Sequence, residues 1–280
     1  MQLSILIRNK NEAKQLKATL RALALQKTSF PYEVFILDNA STDHSLEVAR
    51  EFGCRIGTVP KGAFSYGASL NTGIAACEGE IILLLSAHII LLNNDFLEQM
   101  VKCFSNSSIA FARPTNVGKA ALVMDAQDGH SYTHLDVDST ISEQNEQLRR
   151  QWFTLLIANC SAVRRSVAIQ FPFDPHIEAN EDKLWSKSVL LAGYKGVHNL
   201  PCYYHYSKKN TPQQRLAIDF KELKTKAEIL GDPYFTGTRI GFVFRSFVYA
   251  CQMYWPRIAS ETALAINLAK LGRRSKIYNT

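Results

Sequence analysis

Over the first 112 residues, short apolar runs alternate with stretches whose apolar residues recur at helical spacing. Strands are predicted at residues 3–7, 33–37, 55–59, 80–85 and 109–112. Helices are predicted at 11–25 (Leu16, Leu20 and Leu23 on one face), 43–52, 66–77 and 93–104, the last with Asn93 as a candidate cap. Strands alternating with helices imply a parallel α/β sheet. The run Ile81 to Leu85 has no polar position, as expected of a strand buried on both faces. From residue 113 to about 150 the periodicity dissolves, which reads as a functional loop or lid. Residues 152–171 turn apolar again. A helix at 182–192 closed by Gly193 follows, then short strands at 195–198 and 202–206, then helices at 213–230, 237–255 and 260–271.

Composition narrows the class. The chain has 280 residues, 46% of them hydrophobic, enough for a full core. Six cysteines are scattered singly with no CxxC pair, which argues against a zinc ribbon or a disulfide framework. No signal peptide and no convincing membrane span are expected, and the reading is a cytoplasmic chain. The net charge of +7 is unevenly placed. Residues 206–280 hold 13 Lys/Arg against 5 Asp/Glu, so residues 1–205 are close to neutral. A basic tail rich in Phe, Tyr and Trp suits the anionic cytoplasmic face of a membrane, with nucleic acid as the competing partner.

Ligands on an open parallel sheet bind beyond the carboxyl ends of its strands. There the sequence places Arg8-Asn9-Lys10-Asn11-Glu12 after the first strand and Asp38-Asn39-Ala40-Ser41-Thr42-Asp43 after the second. Ser41 or Thr42 is expected to cap the next helix, whereas Asp38 closes its strand and is free to read a base or ribose. Neither GxGxxG nor GxxxxGK[ST] occurs, so an ordinary dinucleotide or P-loop site is not supported. His130 and His134 stand four apart but have no third partner, and a zinc site is rejected.

The segment from Ser4 to Glu12, the segment from Leu37 to Asp43, the segment from Phe64 to Ile74, and Glu181-Asp182 with Leu184-Trp185 and Ala192-Gly193-Tyr194-Lys195 resemble, in order and spacing, the family 2 glycosyltransferases of GT-A fold. The resemblance implies an α/β fold with a Rossmann-like, mostly parallel central sheet flanked by helices. A catalytic domain would span 1–205, with a donor half at 1–112 and an acceptor half at 113–205. A basic, amphipathic helical extension would occupy 206–280. It further implies that Ile7, Arg8 and Glu12 border the donor base, that Asp38 bonds it, and that Asn71 and Ser86 lie near the ribose or diphosphate. Asp182 would be the catalytic base, with Glu181 orienting it or the acceptor, and Trp185 is assigned to the acceptor.

The sequence departs from the family where an acidic DxD motif is usual, for it reads Ser86-Ala87-His88. This variant is similar to a rhamnosyltransferase-like subgroup. Imidazole suits Mn2+ better than Mg2+. His88, with His205 after the last strand, is therefore read either as a metal ligand or as a direct donor to the diphosphate, and the divalent cation stays open. Lys208 and Lys209 are further candidates for the leaving group's charge. The activity implied is inverting transfer of a sugar from a UDP- or dTDP-sugar to a hydroxyl of a glycan or lipid-linked acceptor, in surface polysaccharide synthesis. A nucleotidyltransferase would carry a Gly-rich loop after the first strand, which is absent here. A nucleic-acid-binding module would leave the near-neutral first 205 residues unexplained.

Overall fold

Leu3–Asn9 (β1) is fully apolar along its centre because it is flanked on both sides and covered on both faces. It pairs in parallel with Tyr32–Asp38 (β2) and Ile81–Ser86 (β4), and β2 pairs in parallel with Arg55–Thr58 (β3). The computed structural model describes residues 2–59, 64–117, 133–134, 155–205 and 211–230. The remaining strands are Ile89–Leu91 (β5), Ile109–Val117 (β6), Thr133–His134 (β7), Cys160–Arg164 (β8) and Lys195–His205 (β9). The nine form one sheet in the order β3-β2-β1-β4-β8-β6-β9-β5, with β7 also on β9. β8 runs antiparallel to β4 and β6, while β6 and β9 are parallel. The mostly parallel α/β sheet expected from the sequence is the observed one.

Among the described residues seven helices surround it: Ala13–Ala24 (α1), Ser45–Glu51 (α2), Tyr66–Ala76 (α3), Phe96–Lys102 (α4), Arg165–Gln170 (α5), Glu181–Leu191 (α6) and Pro212–Leu230 (α7). All described elements belong to one compact unit, Met1–Leu230. Among the described residues no helix is long and apolar enough to cross a membrane. The expected helices at 237–255 and 260–271, Lys208, Lys209 and His130 lie outside the described residues.

The two faces of the sheet bury separate cores. Leu3, Ile5 and Ile7 pack with α1 and α4 residues on one face, and Leu6, Leu37, Leu84 and Trp185 on the other. Period-two alternation then decides what each strand end presents. Arg8, Leu37 and Ser86 continue the second face, and Ile7 and Asp38 the first. Arg8 is registered with Ser86, and Asn9 with Asp38, so the carboxyl ends of β1, β2 and β4 finish level.

Local details differ from expectation. The strands predicted at 195–198 and 202–206 are one long strand, because β6 runs on past Ala112 to Val117 and supplies a partner along its length. The apolar stretch at 152–171 divides into β8 and α5. Neither Ser41 nor Thr42 caps α2, whose N-cap is His44. Asp43 instead accepts from the backbone N–H of Ser45 (3.0 Å) and Ala13 (2.9 Å), bracketing the starts of α1 and α2. Asn93 does not cap α4 either, since Asp95 holds that position. Gly67 in α3 is required by close approach, for a Cβ there would stand 2.1 Å from the Asp174 carbonyl oxygen.

Candidate active site

Two cavities open where the strands end. The larger, about 940 Å3, is lined by Arg8, Ser86, His88, Arg113, Ala158, Asn159, Glu181, Asp182, Lys183 and His205, with one face of α7 opposite. The smaller, about 400 Å3, is lined by Arg8, Asn9, Glu12, Leu37, Asn39, Val59 and Tyr66, among others. Arg8, Tyr66, Ser86 and His88 belong to both, so they form the passage between them.

The carboxylate pair opens α6. Asn180 precedes it in the left-handed conformation (φ 58°), which asparagine tolerates better than most residues. Its amide donates to the Glu222 carbonyl (2.8 Å) and Thr225 Oγ1 (2.6 Å), tying α7 to the start of α6. The α7 residues Gln214, Ala217, Ile218, Lys221 and Glu222 are spaced to share one helix face, and that face walls the larger cavity. Asp182 Oδ2 accepts from the Ala158 N–H (2.9 Å) and Oδ1 from the Lys183 N–H (2.8 Å). These bonds fix the carboxylate and leave each oxygen a lone pair.

Glu181 is buried, with its Oε1 4.0 Å from Arg8 Nη1. Burial, reinforced by the charge of Asp182 and opposed by Arg8, pushes its carboxyl from 4.5 to about 7. The folded protein therefore holds this proton more tightly than the unfolded chain. The resulting stability is fully present below about pH 4.5 and is lost as pH rises through 7. The loss is on the order of 3 kcal/mol. Glu181→Gln, which cannot ionise, is expected to melt higher than the unsubstituted chain at pH 8–9, with the difference shrinking to nothing near pH 4.5. Thermal unfolding across that range measures it, and a difference independent of pH would show that Glu181 does not titrate there.

Arg8 is mostly buried, with 15% of its side chain exposed. It donates to the Ala158 carbonyl (3.3 Å) and lies over the Tyr66 ring (5.5 Å), while its Nη1 has no hydrogen-bond partner among the described residues. Burial lowers its pKa, and Glu181, Tyr66 and Asp182 act in the other direction. His88 Nδ1 meets Glu12 Oε2 at 2.6 Å, and the His88 and His205 rings are 4.9 Å apart. Pairing of Ile89 with His205 brings these two histidines together across β5 and β9. Burial, then the neighbouring charge of His88, lowers the His205 pKa, against a raising influence of Glu12. Among the described residues no three His, Cys, Asp or Glu side chains gather as a metal site. Among the described residues, His88 and His205 are the imidazoles placed side by side at this site.

The structure thus brings together Arg8, Ser86, His88, His205, Glu181 and Asp182 as anticipated from the sequence, and Glu12 by way of His88. Four anticipated residues fall elsewhere. Ile7 is fully buried in the core behind the sheet. Asp38 is 1% exposed, and its carboxylate accepts from Asn9 Nδ2 (2.9 Å), Ser41 Oγ (2.6 Å) and the Ser41 N–H (2.8 Å). It shapes the loop and is not turned to the cavity. Asn71 exchanges two hydrogen bonds with the Phe173 backbone (2.8 and 2.9 Å), fastening α3 to that segment. Trp185 is 2% exposed, stacked on Phe173 with ring centroids 5.1 Å apart, and its Nε1–H donates to the Phe171 carbonyl. It is a core residue with no face for an acceptor.

Sequence reasoning missed Tyr66, Arg113, Lys183 and the Ala158–Asn159 backbone. Arg113 and Lys183 both donate to the Leu155 carbonyl, at 3.0 and 2.9 Å. A charged residue predicted at a strand end and another inside an acidic helix start were the only available signals.

Comparison with known proteins agrees with this geometry. The family model described as "Glycosyl transferase family 2" matches residues 4–171. The chain is 24% identical over 195 residues to the O-antigen chain rhamnosyltransferase WbaN of Salmonella anatum, covering 68% of this chain and 62% of that one. It is 28% identical over 213 residues to the glycosyltransferase AglE of Haloferax volcanii, with the same coverage. The chain therefore spans 62% of the length of these curated relatives. Among solved structures, S. aureus TarS 1-349 in complex with UDP-GlcNAc superposes with a TM-score of 0.59 at 16% identity, covering 86% of this chain and 74% of that one. The mannosyltransferase PcManGT of Pyrobaculum calidifontis, with GDP-Man and Mn2+, gives 0.58 at 15% identity, covering 95% and 80%. With more than half of its length matched by that model and a sheet of the same GT-A design, the chain belongs to glycosyl transferase family 2.

Proposed function

We propose that this protein transfers a sugar, with inversion, from a nucleoside-diphosphate donor to a hydroxyl of a glycan or lipid-linked acceptor. The observation that carries the reading is the pair of cavities joined at Arg8, Ser86 and His88, with Asp182 fixed in the larger one. The nucleotide would occupy the smaller cavity and the diphosphate the passage. The acceptor oxygen would attack the anomeric carbon from the side of Asp182 and give its proton to that carboxylate. The bond from the anomeric carbon to the diphosphate breaks, and Arg8, His88 and His205 meet the charge that develops on the leaving oxygens.

The cation bound by PcManGT is Mn2+. Here His88 and His205 would hold such an ion together with diphosphate oxygens. When bound, it would neutralise leaving-group charge. His88 suits either task, because Glu12 occupies Nδ1 and leaves Nε2 for the ligand. The matches to O-antigen rhamnosyltransferases favour a dTDP- or UDP-linked deoxyhexose and a surface polysaccharide product. The basic composition of residues 206–280 favours work at the cytoplasmic membrane face, where lipid-linked acceptors are found.

Calorimetric titration with UDP and dTDP, with and without Mn2+, tests this. Binding is expected in the unsubstituted protein and at least about tenfold weaker in His88→Ala. A manganese dependence that disappears in His88→Ala makes the imidazole a ligand. Metal-independent binding makes it a direct donor. Failure to bind UDP, dTDP or GDP under either condition would overturn the donor assignment.

A further inference from the structure

The cavity holds more buried positive charge than the proposed donor chemistry uses. Arg8 has Glu181 beside it, but among the described residues Arg113 and Lys183 have no carboxylate in hydrogen-bonding contact. Both point at a single neutral acceptor, the Leu155 carbonyl, so their donor nitrogens lie no farther apart than the sum of those two bonds. Arg113 Nε is buried without a hydrogen-bond partner among the described residues. Lys183 has three N–H donors and spends one. Asp182 is the nearby anion for both, yet its two oxygens are already bonded to backbone N–H groups.

Holding a buried lysine and a partly buried arginine against one carbonyl is costly where counter-charge is short. The structure records that cost on both groups. Burial lowers the Arg113 pKa and pushes Lys183 down to about 8. Arginine cannot escape by losing its proton, so Arg113 stays charged. The pair lines the larger cavity and not the smaller one, whereas Arg8, Ser86 and His88 line both. It therefore stands beside Asp182, on the acceptor side of the passage.

We propose that Arg113 and Lys183 form an anion subsite for the acceptor, so that the substrate presenting its hydroxyl to Asp182 carries a phosphate or carboxylate group. This rests on the glycosyltransferase reading above and narrows its acceptor class. Such a group would meet the charges of Arg113 and Lys183 where they line the cavity, and would hold the hydroxyl in reach of Asp182. A neutral glycan would leave both cations to share the charge of Asp182.

The test is calorimetric titration of the protein, nucleotide-free and saturated with UDP or dTDP, using glucose 1-phosphate, glucuronate and glucose. At least one of the two anionic probes is expected to bind the saturated protein, and glucose much more weakly. The probe that binds tells phosphate from carboxylate. Lys183→Met and Arg113→Met, each keeping the aliphatic bulk, are expected to weaken that binding about tenfold or more, as for loss of a charged hydrogen bond. Nucleotide affinity should stay within about twofold, which also shows that the variants are folded; Arg113→Lys should recover part of the loss. The proposal is overturned if glucose binds as well as the anions, if anion binding survives both substitutions, or if nucleotide affinity falls in parallel, which would assign the cations to the donor. Failure of the unsubstituted protein to bind UDP, dTDP or GDP sinks the donor assignment instead, and the nucleotide-free titration still reads the subsite.

Discussion

Replacing Asp182 with asparagine is expected to lower the turnover of sugar transfer by about 10²–10⁴-fold, the usual contribution of a positioned base. Two features of the structure make the expectation specific. The carboxylate is locked by one backbone N–H on each oxygen, from Ala158 and Lys183, so its orientation does not depend on substrate. An amide in its place can satisfy only one of those donors, and its own NH2 would then oppose the other. Some of the loss could therefore come from disorder of the 155–159 segment, and nucleotide affinity is the control. Initial rates of nucleoside-diphosphate release at saturating donor and acceptor measure turnover, and titration with the nucleotide measures the fold of the donor side. A turnover within about threefold of the unsubstituted enzyme would remove Asp182 from the role of base. Glu181, whose carboxyl already titrates near neutrality, would then be the residue to substitute next.

Arg8→Met should be nearly as damaging. Methionine keeps the unbranched stem but loses the bond to the Ala158 carbonyl, the stacking on Tyr66 and the charge facing Glu181. Arg8 is in the passage between the cavities, where negative charge would build on the departing diphosphate. Loss of one such donor costs about 10²–10³ in turnover. A second readout separates this role from packing alone. Arg8 lowers the Glu181 pKa against the effect of burial, so its removal should carry the Glu181 transition further above 7. The pH midpoint of the stability difference between Arg8→Met and Arg8→Met/Glu181→Gln would report it. Arg8→Lys restores the charge without the planar fork and should recover only part of the rate. Unchanged turnover together with an unmoved Glu181 transition would exclude both functions.

The sequence by itself determined the order of strands and helices up to β4, and α4 after it but not the short β5 between them, because period-two and helical spacings are local consequences of burial. It determined too that polar chemistry gathers after β1, β2 and β4. The Glu181-Asp182 pair and the Ser86-Ala87-His88 departure were legible because motif order survives without coordinates. What the sequence could not decide was which neighbour at a strand end faces the cavity. Ile7 and Arg8 are adjacent, as are Leu37 and Asp38, but alternate side chains leave a sheet on opposite faces. Only the pairing of β1 with β2 and β4 assigns Arg8, Leu37 and Ser86 to the open side. The same limit hid the fates of Asp38, Asn71 and Trp185. A carboxylate, an amide and an indole suit a ligand as well as they suit a backbone, and other parts of the chain decided between the two: Asn9 and Ser41 for Asp38, and residues 171–173 for Asn71 and Trp185. Arg113 and Lys183 are 70 residues apart and carry no motif. They became a pair only because tertiary packing turned both toward one carbonyl of a third segment, where low polarity makes two unshared charges costly.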